Sequence, residues 1–145
     1  MADRLTFSAS VQVRAAAADA FALVSDLRRK ARLNPNIEVI RVELLGEEPV
    51  REGSMFAHRF RKGPRIVEYR SRCVRFEPPR LFVSLGEMMR WLSLFPGGRR
   101  LGTELGAHQR ERVARRLSEE LRQWLEAIRQ HLEPGGACGQ DRGDT

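Results

Sequence analysis

Cysteine is scarce in this chain of 145 residues, where only Cys73 and Cys138 occur. One stands in a strand-like stretch and the other in a polar tail, which is neither a disulfide framework nor a metal spacing. No run of about 18 apolar residues exists, so no segment is expected to span a membrane. The opening MADRLTFSASVQV carries an acid and a base early and lacks an apolar h-region, so it is not read as a signal peptide. Together these absences point to a cytoplasmic protein. Gly-x-Gly-x-x-Gly, the P-loop, His-x-x-x-His and Cys-x-x-Cys are missing too. The three histidines, His58, His108 and His131, are too scattered to claim a metal, and neither metal nor cofactor is expected.

Lysine is rarer still relative to its kind. Of 26 basic residues only Lys30 and Lys62 are lysines, and arginine supplies the rest of a net charge of +7. A nucleic-acid footprint clusters on one element with aromatic residues between. Here the arginines run from Arg4 to Arg142, many with acidic neighbours. Such a charge speaks to solubility and weak nonspecific association before it speaks to a partner. Glu47, Glu48 and Glu52 read as a solvated loop cluster.

What is present is a length that fits one domain with a sizeable core, and a hydrophobic fraction of 41% typical of globular chains. Leu5, Phe7, Ala9, Val11 and Val13 share one parity, which predicts a half-buried strand. AAAADAFALVSDL is alanine-rich and helical, and the following RRKARL stops at Asn34-Pro35-Asn36, so two short helices are predicted. Strands follow at IEVIRVELLG, SMFAHRFRKG, RIVEYRSRCVRFE, RLFVSLGE, MMRWLSLF and RRLGTELGA, separated by short turns, which argues an antiparallel meander. From about His108 to Leu132, Val113, Leu117, Leu121, Trp124, Leu125, Ile128 and Leu132 recur at spacings of three and four. That is an amphipathic helix of roughly seven turns. Its solvated face is expected to pair Arg115 with Glu119, Arg116 with Glu120, Arg122 with Glu126, and Arg129 with Glu133. Pro134-Gly135-Gly136 ends it, and the tail to Thr145 is expected to be disordered. The predicted class is α+β: a curved antiparallel sheet of six to seven strands, two short helices after strand 1, and a long C-terminal helix packed across the sheet.

That order, with AAAADAFALVSDLRR after the first strand, Asn34-Pro35 before IEVIRVELLGEEPVREGSMF, RCVRFEPPRLFVSLG, Gly102-Thr103-Glu104 and the terminal QWLEAIRQHLE, resembles the START-like (SRPBCC) superfamily. The likeness is to its polyketide cyclase/dehydrase and lipid-transport branch, and covers roughly residues 5 to 133. It implies a helix-grip fold, with residues 1–133 as one ligand-binding domain and 134–145 as tail. One departure stands out. GAHQRE passes almost directly into the last helix, where many relatives carry a longer gating segment, and Gly86 to Gly98 is short. A small cavity, or one open at an end, is the expectation.

Alternation decides which side chains face such a cavity. Phe56, His58 and Phe60 form the more apolar parity of one strand, against Met55, Ala57, Arg59 and Arg61. Val67, Tyr69, Ser71 and Cys73 form the quieter parity of the next, and one bulge would flip part of this assignment. The candidate ligand-binding residues are therefore Phe56, His58, Phe60, Tyr69, Ser71, Cys73, Trp91, Phe95, Leu117, Leu121 and Trp124. His58 is a hydrogen-bonding group or base in an apolar cavity, or a satisfied core histidine. Tyr69, the lone tyrosine, offers an apolar body and a polar tip. Ser71 beside His58 lacks a Gly-x-Ser-x-Gly elbow and a third member, so it does not read as a hydrolytic site. Cys73 reads as a small buried hydrophobe. Trp91, Phe95 and Trp124 read first as core.

Three functions follow. The first is a noncatalytic binding or carrier module for a small hydrophobic or aromatic ligand of lipid or polyketide kind. The second is an aromatase/cyclase-like enzyme using His58, Tyr69 or Arg59 as acid–base or oxyanion groups. The third is a module whose basic surface binds RNA, a ribosome or an acidic protein, with binding that weakens steeply as salt rises.

Overall fold

Asp26 divides the first two helices. The computed structural model describes residues 5–93 and 107–133. Helix α1 (Ala17–Ser25) buries Phe21, Leu23 and Ser25. Asp26 then leaves helical geometry and begins α2 (Leu27–Arg32), its carboxylate accepting from the Arg28 N–H at 3.1 Å. An aspartate at that position satisfies a donor that the helix itself leaves without a partner. The same carboxylate takes the Arg28 guanidinium at 2.9 Å, and Arg28 also reaches Glu48 at 2.5 Å, tying α2 to the loop before the second strand.

Strands β1 (Glu38–Leu45), β2 (Met55–Lys62), β3 (Arg65–Glu77) and β4 (Leu81–Ser93) form one antiparallel sheet in chain order. Lys62 pairs with Arg65 across a two-residue turn that takes Gly63 to φ 58°, where a glycine carries no Cβ penalty. On the inner face Phe56 and Val42 meet Leu27 and Ala31 of α2, with Val39, Leu44, Val50 and Phe82 around them. At the far end, Phe76 meets Phe21 edge-on with ring centroids 5.2 Å apart. Helix α3 (Ala107–Leu132) is as long as its periodicity predicts. Ile128 is its one fully buried residue among those described, and the rest of the apolar stripe is half-buried.

Two expectations about strands need correction. Leu5–Val13 is not a strand: Leu5, Ala9, Val11 and Val13 are half-buried and their neighbours exposed, but the segment joins no ladder among the described residues. Alternation fixes which face is covered, whereas a strand also needs a paired edge. The strands predicted at RLFVSLGE and MMRWLSLF are one strand, β4, with a bulge at Met89 in place of a turn. Gly86 stands opposite Ser71 inside the ladder, and a Cβ placed there would touch the Tyr69 ring at 3.4 Å. The glycine marks a close approach, as glycines within strands often do. The described sheet thus has four strands, and RRLGTELGA lies almost wholly outside the described residues, as do Phe95 and the tail 134–145.

Of the ion pairs expected on α3, Arg129 with Glu133 forms, and the others differ. Arg115 pairs with Glu111, Arg122 with Glu119, and Arg129 with both Glu126 and Glu133. In three of these four the glutamate precedes the arginine, the order that suits the helix dipole. Glu120 turns instead to Lys62 on β2, at 2.7 Å.

Candidate functional site

Register brings the candidate residues together. His58 of β2 stands opposite Tyr69 of β3, and Phe60 opposite Val67. The bulges opposite Phe60/Arg59 and Glu68/Tyr69 insert their extra residues, Ile40 and Met89, on β1 and β4, and Val74 follows Cys73, so none is inserted between Val67 and Cys73 or among their β2 partners. The inward parity therefore runs unbroken where it matters. The His58 and Tyr69 rings stack at 4.1 Å with planes 9° apart, and Phe60 meets the tyrosine edge-on at 5.7 Å. His58 Nε2 lies 2.8 Å from Ser71 Oγ, and both residues are buried.

Helix α3 closes over this floor through polar contacts as well as apolar ones. Trp124 Nε1 donates to the carbonyl oxygen of Lys30 at 2.8 Å, while the Lys30 ammonium sits 4.9 Å from the indole centroid. Asn36 Nδ2 donates to the Glu120 carbonyl at 3.3 Å, beside the Lys62–Glu120 pair. Between helix and sheet lies a cavity of about 330 Å³, lined by Ala31, Asn34, Ile37, Val39, Val42, His58, Phe60, Lys62, Val67, Tyr69 and Trp124. Apolar walls with a few convergent polar groups are the usual make-up of a small-molecule site.

Burial sets the charge of these groups. It pushes the His58 pKa down to about 4, so the imidazole is neutral at physiological pH. Tyr69 is pushed up and Lys30 down for the same reason, the charged form losing its water. The Cys73 thiol is also raised, chiefly by burial, and its Sγ contacts the Arg75 carbonyl at 3.3 Å.

Of the predicted site residues, His58, Phe60, Tyr69 and Trp124 line the cavity. Ser71 lies beneath it as the partner of His58. Phe56 belongs to the core cluster with α2, and Cys73 is buried further along β3. Leu117 and Leu121 are half-buried on α3 and do not line this cavity. Trp91 stands opposite Val67 in the ladder. Arg59 is exposed, 3.5 Å from Glu68, and does not line the cavity under α3. It lines a larger, open hollow of about 670 Å³ with Arg41, Glu43, Glu68 and Arg70, to which His58 and Tyr69 also contribute.

The sequence reading missed Lys62 and the α2–β1 connection, where Asn34 and Ile37 contribute to the wall. Lys62 continues the parity of Phe56, His58 and Phe60 by one more step, which was signal enough. No protein-family model, curated protein or solved structure matches this chain.

Proposed function

We propose that this chain binds a small hydrophobic or aromatic molecule between its sheet and its C-terminal helix, as a noncatalytic binding or carrier module of the START-like, helix-grip kind. The observation that carries this reading is the 330 Å³ cavity, where apolar side chains of α2, β1, β2 and β3 converge with two polar rings under Trp124. The aromatase/cyclase reading is weaker, on chemical grounds. An imidazole with a pKa of about 4 is a poor base at neutral pH. Among the described residues, no third group orients it against Ser71 as a nucleophile's base is oriented.

Native mass spectrometry of the purified chain tests the binding reading, backed by thermal stabilisation with apolar and aromatic compounds. A reproducible extra mass that is lost on denaturation, and is missing from a Val67→Phe variant that fills the cavity, supports it. A clean mass with no compound raising Tm rejects it. Turnover of a bound compound that His58→Ala abolishes would move the function to the enzyme reading.

A further inference from the structure

The charges around the cavity are already balanced. Among the described lining residues Lys62 is the one ammonium or guanidinium, and Glu120 holds it at 2.7 Å, while the Lys30 ammonium, outside that lining, rests on the Trp124 ring at 4.9 Å. His58 is neutral and packed flat against Tyr69. An ionised ligand would therefore bring a charge that finds no opposite partner, at the cost of its own hydration.

Hydrogen-bonding capacity is left over, however. His58 Nε2 is engaged by Ser71, and the Trp124 indole N–H by Lys30. Among the described residues, neither His58 Nδ1 nor the Tyr69 hydroxyl has a partner, although His58 is only 4% exposed. Buried polar groups are ordinarily satisfied, so such a group in a cavity wall is a place for a ligand atom or a water. Size and shape narrow the class further. A cavity of 330 Å³ is at the small end of ligand sites. Its polar end is made of flat rings, which favour offset or edge-on contact with another ring.

We infer that the cavity takes an uncharged aromatic molecule of one or two rings with a single hydrogen-bonding oxygen, a phenol or an aryl ketone, whose oxygen meets the Tyr69 hydroxyl. This rests on the cavity reading above and names its ligand class. It excludes fatty acids and long acyl chains, which are too long and end in a charge.

Calorimetric titration of the full chain with 2-naphthol, naphthalene, 2-naphthoate and palmitate tests it. The naphthol is expected to bind about tenfold tighter than either ring relative, the factor that one net hydrogen bond supplies. Tyr69→Phe is expected to bring naphthol down to the affinity of naphthalene and leave naphthalene unchanged. Equal binding of the three ring compounds, or a Tyr69→Phe variant that still prefers naphthol, overturns the ligand class while leaving the cavity in place. Palmitate bound in preference to all three does the same. Failure of all four compounds to bind removes the cavity reading and this inference with it.

Discussion

Neighbouring residues of β2 and β3 live in different solvents. Phe56, His58, Ser71 and Cys73 are between 1 and 4% exposed, while Arg59, Arg61, Arg70 and Arg72 stand in water. Each outer arginine is one or a few residues from an inner side chain, separated from it only by the thickness of the sheet. These arginines are accordingly turned away from the cavity, and Lys62, the one cation among its described lining residues, is paired with Glu120. On the inner face His58 and Ser71 satisfy one another, and the charged Lys62, at the strand end, is paired with Glu120. The comparison separates a buried, largely apolar face from a charged, solvated one.

The sharpest way to break it is Phe56→Ala, which opens a void in the centre of the core and is expected to cost about 3–5 kcal/mol in urea unfolding. On the outer face, Arg59→Ala is expected to change stability by less than about 0.5 kcal/mol, since exposed ion pairs contribute little. Equal costs would mean that the two faces are not distinguished as described.

The next effect is a pH dependence. A histidine in the unfolded chain takes its proton near pH 6.5, whereas folded His58 does so only near pH 4. Between those values the unfolded chain binds more protons, so stability should fall as pH falls from about 6.5 to about 4, by roughly 3 kcal/mol across the window. Urea titrations at pH 7, 6 and 5 would show the slope, and His58→Gln should flatten it relative to the parent chain.

Smaller effects concern how α3 is held. Trp124→Phe keeps most of the packing but removes the hydrogen bond to Lys30, with an expected loss of about 1 kcal/mol. Glu120→Gln disturbs a half-exposed pair whose backbone carbonyl still accepts from Asn36, and is expected to cost no more than about 1 kcal/mol. Chemical denaturation resolves both.

The inner face of β2 and β3 was legible in the sequence because strand side chains alternate, and the bulge opposite Glu68/Tyr69 puts its extra residue on β4 rather than on β3. The long helix was legible for the same kind of reason, a period sustained over many turns. Bulges were not: the extra residues Ile40 and Met89 are apolar yet 46% and 54% exposed, because a bulge re-aims a side chain without changing local composition. The close approach of the Tyr69 ring to Gly86 was not legible either, since it depends on the register of β3 against β4. The wall contributed by Asn34 and Ile37 comes from a connection rather than a periodic element, and only tertiary packing brings it to the cavity.

The scarcity of lysine acquires a practical meaning once the cavity is placed. Lys62 is in its wall and Lys30 rests against Trp124, which forms another part of that wall. Apart from a chain terminus, every amine that an acylating reagent can modify lies beside the same cavity. Amine labelling of this molecule is therefore a footprint of one site, able to register an occupant or a displaced α3 against a background of two dozen silent arginines.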